Sequence, residues 1–343
     1  MPTDYAQPHE TKTPRKLADK RINSNVNGAT ELFTFALTRE TNRWVANRFY
    51  GGTMGVYVVT GAASGMGRST AEQLRWEGHR VIGVDLRNTE VIADLSTEEG
   101  RRSAVEQIYE LAGGRLDGAV LAAGLGPVPG REQLIAQVNY CGVVMLLEGI
   151  HDLLAKAGNA KVVIFSSNST TTVPGIPQEL IDAFLARDPE KALALVEDVS
   201  PELAPTFMYV ASKTAVTHWM RTIGVDKEWA GAGIRVNALA PGAIRTPLLE
   251  QQLNDPELRP AIEALPIPVR EFGKPEEVAK WAIFMLSPAA NFLCGSVIFL
   301  DGGTDAYFRA DSWPKAVAPE DTPKHLERAA EFAAMLAEEK KNA

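Results

Sequence analysis

Four side chains in this sequence are suited to moving a proton to and from a substrate oxygen, namely Tyr209, Lys213, Ser167 and Asn139. Tyr209 and Lys213 bracket the stretch YVASK at 209–213, which reads as the start of a helix. Residues four apart share a helix face, so the phenol and the ammonium point the same way. A free phenol has a pKa near 10, so only about one in a thousand is ionised at neutral pH. Lowering that value by about three units takes roughly 4 kcal/mol of preferential stabilisation of the phenolate. A neighbouring cation is one source of it. The phenol would then give or take a proton at a carbonyl oxygen. A Tyr-x-x-x-Lys spacing is weak by itself, because a chain with seven tyrosines often contains one by chance.

Ser166 and Ser167 follow the apolar run Val162–Phe165, which reads as a strand. A serine hydroxyl there would hold a substrate oxygen near the phenol, or would only end the strand or cap a helix. Asn139 falls inside a long helical pattern, where asparagine is intrinsically disfavoured. It either holds a water linking Lys213 to solvent or bonds its own backbone.

The stretch Thr60-Gly61-Ala62-Ala63-Ser64-Gly65-Met66-Gly67 follows a second apolar run, Val56–Val59, and precedes a helical pattern. Strand, glycine turn and helix form a phosphate site: glycines let backbone amides approach a pyrophosphate, and the helix N-terminus carries partial positive charge. Asp85 ends the next apolar strand, Val81–Val84. An acid there accepts both hydroxyl protons of an adenosine ribose. A 2′-phosphate facing it would cost roughly 4 kcal/mol per pair of like charges at about 4 Å and an effective dielectric near 20. No Lys or Arg between Gly61 and Gly65 offsets that cost. The expected cofactor is therefore NAD rather than NADP, although Arg87, two residues beyond Asp85, could reach a phosphate.

Composition narrows the class. Net charge is −8 without a long basic run, so nucleic acid is not an expected partner. Cys141 and Cys294 both sit in apolar segments and are expected to be buried as small hydrophobes. No disulfide framework is indicated, which fits a reducing, cytoplasmic setting. The five histidines lack ligand spacing, so no metal is expected. No apolar run approaches the ~18 residues of a membrane helix.

Length alone suggests two domains, but the patterning argues for one. From Gly55 the chain alternates strand and helix. Strand-like runs are Val56–Val59, Val81–Val84, Ala119–Ala122, Val162–Phe165, Ile234–Leu239 and Val297–Leu300, with a weaker Val91–Ala93. Helical patterns are Gly65–Glu77, Thr97–Ala112, Arg131–Ala157, Thr206–Ala230 and Pro275–Leu286. Continuous apolar strands imply a sheet covered on both faces. The expected fold is α/β: a Rossmann-type doubly wound parallel sheet over 54–308, with its ligand at the carboxyl ends of the strands.

Three segments stand outside that rhythm. Residues 1–53 read as an extension, polar at first, with an amphipathic helical pattern over Glu31–Asn47; the extension is dispensable, or Met54 is the native start. Residues 174–205 carry two helical patterns, Gln178–Arg187 and Pro189–Asp198, and form either an insert over the active site or a surface excursion. The tail, 309–343, ends in an amphipathic pattern over Lys324–Lys341 that docks on a partner subunit or frays.

Together these pieces resemble the short-chain dehydrogenase/reductase family over about residues 54–308. The matching motifs are TGAASGMG at 60–67, Asp85, Asp94-Leu95, Asn139, Ser167, YVASK at 209–213, IRVNALAPG at 234–242 and DGG at 301–303. The resemblance implies a catalytic set of Asn139, Ser167, Tyr209 and Lys213. It implies a dinucleotide held by Gly61, Ser64, Gly65, Met66, Gly67, Asp85, Asp94, Leu95, Ala123, Gly124, Pro241, Gly242, Ile244 and Thr246, together with Tyr209 and Lys213. Asp94 would approach the adenine and Thr246 the nicotinamide amide. Homodimers or homotetramers are common among relatives.

Two departures narrow the resemblance. Leu121-Ala122-Ala123-Gly124 lacks the asparagine with which the family usually braces its central sheet, and the 174–205 insert separates Ser167 from Tyr209. With Gly124–Pro127 and Asp301–Ala306 they resemble the bacterial 3α-hydroxysteroid dehydrogenase/carbonyl reductase and coniferyl-alcohol dehydrogenase branch. That implies an apolar or aromatic alcohol–ketone substrate. Val173, Ile176, Leu180, Phe184, Leu248 and Leu249 either line an apolar pocket or pack the insert onto the core. Two other functions compete: a nucleotide-sugar epimerase or dehydratase, whose glycine spacing differs, and a non-catalytic dinucleotide-binding regulator, which needs none of the four polar side chains.

Overall fold

In a computed structural model of the chain, the described residues are 54–257, 259–312 and 316–342. The extension 1–53, including the Glu31–Asn47 pattern, lies outside them. Seven parallel strands form one sheet in the order β3-β2-β1-β4-β5-β6-β7. They are β1 Val56–Thr60, β2 Arg80–Asp85, β3 Val91–Ile92, β4 Gly118–Leu121, β5 Lys161–Phe165, β6 Arg235–Pro241 and β7 Val297–Leu300. Strand order reverses between β1 and β4, so their carboxyl ends flank the crevice where an open α/β sheet takes its ligand.

The uninterrupted apolar runs follow from burial on both faces. In β5, Val162 and Ile164 join one core cluster and Val163 and Phe165 the other; β4 divides the same way, with Ala119 and Leu121 opposite Val120. The first cluster lies under α2 (Glu98–Ala112), α4 (Gly142–Gly149) and α9 (Ala204–Ile223). The second lies under α1 (Gly65–Trp76) and α12 (Pro275–Leu286). Thr97 caps α2 by accepting from the Gly100 amide, and Gly113 ends it at φ 69°, a conformation that favours glycine. The Glu277 carboxylate accepts from the Lys274 amide and Pro275 opens α12, which fixes its first turn.

The helix expected over Arg131–Ala157 is not continuous. It comprises α3 (Glu132–Ala136), a π-turn (Gln137–Cys141), α4 and α5 (His151–Ala155). The π-turn carries Asn139, and such bulges concentrate at functional sites. The pattern over Thr206–Ala230 also divides: α9 ends at Ile223, and a separate π-turn spans Lys227–Gly231.

After β5 comes the short α6 (Ser169–Thr172) and then the insert, with α7 (Gln178–Leu185) and α8 (Pro189–Ala194). Both insert helices are shorter than their sequence patterns. Helix α7 packs along α9, and α8 packs against α7 and α3. Leu180 and Phe184 are fully buried, and the Phe184 ring meets the Tyr140 ring at 5.4 Å. These two side chains therefore fasten the insert to the core. Cys141 is buried as expected, whereas Cys294 is only half-buried, because its Sγ donates to the Gly224 carbonyl at 2.8 Å in a turn near the surface. The remaining helices are α10 (Pro247–Asn254), α11 (Arg259–Glu263), α13 (Thr304–Arg309) and α14 (Thr322–Asn342).

Truncating Phe184 removes a fully buried aromatic ring and its Tyr140 contact. Phe184→Ala is expected to destabilise the protein by about 3–5 kcal/mol in urea denaturation. A loss below about 1 kcal/mol would contradict this packing of the insert.

Candidate active site

A cleft of about 550 Å³ opens at the carboxyl edge of the sheet. Gly61, Ser64, Gly65, Met66 and Gly67 line it from the β1–α1 turn, and Asp85, Asp94 and Leu95 from the ends of β2 and β3. Ala123 and Gly124 face it from beyond β4, Tyr209 and Lys213 from α9, and Thr246 from the start of α10.

The turn has the backbone shape of an anion cradle. Gly61 and Gly65 hold φ of 67° and 54°, and the Gly61 amide donates to the Val84 carbonyl at 2.9 Å. A Cβ on Gly61 would come within 2.9 Å of the Ala123 amide nitrogen, and one on Gly67 would collide with the Gly61 carbonyl. Ser64 caps α1 without a side-chain hydrogen bond, and the first turn of α1 has no acid. Its amides and partial positive charge therefore face the cleft unopposed. Asp85 is tied to the same turn: its carboxylate accepts from the Ala63 amide at 3.0 Å and the Leu86 amide at 2.7 Å. Each oxygen keeps lone-pair capacity for another donor. Asp94 accepts from the Ser96 amide and hydroxyl through Oδ1. This donor and acceptor set fits a dinucleotide.

Lys213 is buried, with its Nζ donating to the Phe165 carbonyl at 2.7 Å, so it is anchored to the last residue of β5. Burial pulls its pKa down to about 8. Burial pushes the Tyr209 phenol up, and a hydrogen bond with Ser167 pulls it back down. The lowered phenol pKa expected from a nearby ammonium is thus not the resting condition, because desolvation dominates at both groups. Tyr209 also lies in the second turn of α9 rather than at the helix start. The Ser167 hydroxyl oxygen accepts from the Ser169 amide at 3.1 Å.

Asn139 is fully buried but bonds neither its own backbone nor Lys213. Its Oδ1 accepts from the Leu125 amide at 2.8 Å, and its Nδ2 donates to the Leu125 carbonyl at 3.0 Å. The π-turn aims it at the loop after β4. Thr60 Oγ1 accepts from the Ala123 amide at 3.0 Å in the same loop. Thr60 and Asn139 thus hold the segment that Leu121 and Ala122 leave without its usual asparagine. A Cβ on Gly124 would lie 3.3 Å from both Asn139 Oδ1 and Lys213 Nζ, so glycine leaves space between them.

Other expected residues sit differently. Pro241 ends β6 and Gly242 follows it, but neither lines the cleft, and Ile244 lines a separate cavity with Phe272, Trp281 and Phe299. Gly242 serves packing: a Cβ there would meet Asp301 at 2.8 Å. Of the six proposed pocket-lining apolar residues, Leu248 lines the cleft, whereas Leu180, Phe184 and Leu249 are buried. Arg87 does not line the cleft. Sequence reading missed Arg131, Leu134 and Val138 on its wall. It also missed Arg101, which is buried and donates to the Leu95 carbonyl and to Gln137 Oε1, bracing the Asp94-Leu95 segment. Nothing in the helical pattern over Thr97–Ala112 singled out Arg101.

Known proteins resemble this chain in sequence and fold. A family model described as enoyl-(acyl carrier protein) reductase matches residues 194–305. The chain is 36% identical over 256 residues to a 3-alpha-hydroxysteroid dehydrogenase/carbonyl reductase of Comamonas testosteroni, covering 75% of this chain and 98% of the relative. The solved 3-alpha-hydroxysteroid dehydrogenase of Pseudomonas sp. B-0831, complexed with NADH, superposes with TM-score 0.70 at 39% identity, covering 75% of this chain and all of that one. A Pseudomonas aeruginosa RhlG/NADP complex superposes with TM-score 0.57 at 27% identity, covering 73% and 96% of the two chains.

The buried ammonium gives a pH-dependent signature. Lys213 binds its proton with a pKa of about 8 when folded and about 10.4 when unfolded. Between those values the unfolded chain binds more protons, so this group makes stability rise with pH. The stability difference between wild type and Lys213→Met, measured by urea denaturation without coenzyme, should shift in favour of wild type from pH 8 to pH 10. A flat difference would contradict a desolvated ammonium. The glycine cradle, the carboxylates beyond β2 and β3, the Ser167–Tyr209–Lys213 grouping and a relative matched over nearly its whole length together place this chain in the short-chain dehydrogenase/reductase family of oxidoreductases.

Proposed function

We propose that this protein is an NAD-dependent dehydrogenase/reductase acting on a secondary alcohol or ketone of apolar character, such as a hydroxysteroid or an aromatic carbonyl. The observation that carries this reading is the pair Tyr209 and buried Lys213, one helical turn apart on α9, lining the same cleft as the glycine turn and Asp85 that fit a dinucleotide.

The β1–α1 turn, with Ser64 and Met66, would hold the pyrophosphate, Asp85 the adenosine ribose, and Asp94 with Leu95 the adenine. Ala123 and Gly124 would flank the dinucleotide. Thr246 would meet the nicotinamide amide, and the β6 end (Pro241, Gly242, Ile244) would support that segment from behind. When bound, the nicotinamide gives or takes the hydride. Tyr209 gives the carbonyl oxygen its proton in reduction and takes it back in oxidation. Ser167 Oγ already accepts from the Ser169 amide, so its own hydrogen is directed at the phenol or at a substrate oxygen. A phenolate left at Tyr209 is stabilised by the Lys213 ammonium. Asn139 holds the Leu125 loop, and a water in the space beside Gly124 would link Lys213 to solvent.

NAD is favoured by the Asp85 carboxylate on the cleft wall and by the NADH held in the Pseudomonas sp. relative. Apolar substrates are favoured by Leu125, Phe165 and Leu248 on the cleft wall. We also read the chain as a cytoplasmic homodimer or homotetramer, with 54–308 as its catalytic domain. No helix among the described residues is long and apolar enough to cross a membrane. Strand β7 is a sheet edge, and Trp281, Phe284 and Phe292 are exposed large apolar residues.

Initial rates followed by NADH absorbance, against hydroxysteroids, ketosteroids, aromatic alcohols and small ketones, test the assignment. Rates with NADH should exceed those with NADPH by about tenfold or more, and a preference for NADPH would overturn the cofactor assignment. Tyr209→Phe should lower kcat at least about a hundredfold. Unchanged turnover would remove Tyr209 from the mechanism.

A further inference from the structure

The two serines after β5 are adjacent in sequence but have different partners. Ser166 is buried, and its Oγ lies 2.6 Å from the Oγ1 of Thr217, which is also buried. Thr217 Oγ1 lies 2.7 Å from the Lys213 carbonyl, one helical turn earlier. A hydroxyl has one hydrogen. Thr217 gives its hydrogen to the carbonyl, which can only accept, so the 2.6 Å bond must be donated by Ser166. The hydrogen of Ser166 is thereby committed, although the residue lines the cleft. Toward a ligand it can only accept.

The same pair joins β5 to α9. Lys213 Nζ to the Phe165 carbonyl is one rung between strand and helix, and Ser166 to Thr217 is the next. Ser167 follows the strand side of this ladder, and Tyr209 precedes the helix side by one turn. Two short buried rungs join the strand end to α9. Because α9 is also packed on α3, α7 and β6, the second rung acts locally, on the seat of the strand end against the helix.

We propose that Thr217 is a positioning residue for the reaction. Through Ser166 it locks the strand end, and with it Ser167, to α9 and withholds the Ser166 hydroxyl from the substrate oxygen. The proposal rests on the proton-transfer role of Tyr209 and deepens it. Thr217 itself touches neither substrate nor coenzyme.

The test compares Thr217→Val, Thr217→Ser and Ser166→Ala in the full-length protein. Valine keeps the shape and removes the hydroxyl, whereas serine keeps the hydroxyl. Thr217→Val should lower kcat about tenfold, leave KM for NADH within about twofold, and move the apparent pKa of the kcat profile upward as the Ser167 bond weakens. Thr217→Ser should restore kcat to within about twofold of wild type. The double variant Ser166→Ala/Thr217→Val should be no slower than the slower single variant, because both remove the same rung. Wild-type kcat in Thr217→Val, failure of Thr217→Ser to rescue, or additive losses in the double variant would each overturn the proposal. If Tyr209→Phe were fully active, the underlying reading would fail instead, so the two failures are distinguishable.

Discussion

A single carbonyl, that of Phe165, holds this site together. It ends the inner strand β5 and receives the ammonium of Lys213. Two consequences follow. The strand end, with Ser166 and Ser167, is brought against α9, and the lysine is held out of water where its charge is costly. The junction continues in the contact of Ser166 with Thr217, while Asn139 separately holds the loop facing Lys213.

The electrostatics of the resting site run against catalysis, and this is informative. Burial favours neutral lysine and neutral phenol together. A lysine with a pKa of about 8 remains mostly charged at neutral pH but is readily perturbed. A phenol pushed up holds its proton until something stabilises the anion. The site therefore resists ionisation at rest, and a hydrogen bond from Ser167 is the contribution of the chain itself in the opposite direction. A positively charged ring entering the cleft would act on both groups with little intervening water.

Much of this was legible in the sequence, for identifiable reasons. The five inner strands were visible because a parallel sheet covered on both faces leaves continuous apolar runs; the half-covered edge strands β3 and β7 are short apolar runs too, and Val297–Leu300 and Pro275–Leu286 agree to the residue. The glycine turn and Asp85 were legible because their chemistry requires particular residue types at fixed positions. The π-turn at Asn139 was not, because a one-residue bulge hardly disturbs helical periodicity. The contact of Asn139 with Leu125, fourteen residues away, is likewise not encoded in helical spacing. The roles of Leu180 and Phe184 were undecided for a related reason: an apolar side chain looks the same whether it faces a ligand or a core. Arg101 and Thr217 were invisible because each has a partner, Gln137 and Ser166 respectively, on an element distant in the chain.

A dinucleotide bound on the glycine turn must bring its nicotinamide to the Ser167–Tyr209 pair if this chemistry is right. A crystal structure with NADH and an unreactive ketone analogue would show whether it does. The pyrophosphate should lie on the amides of residues 61–67, with the analogue oxygen within hydrogen-bond distance of both hydroxyls, about 2.6–3.2 Å. A nicotinamide ring lying away from Tyr209, or an analogue oxygen bonded by neither hydroxyl, would contradict it.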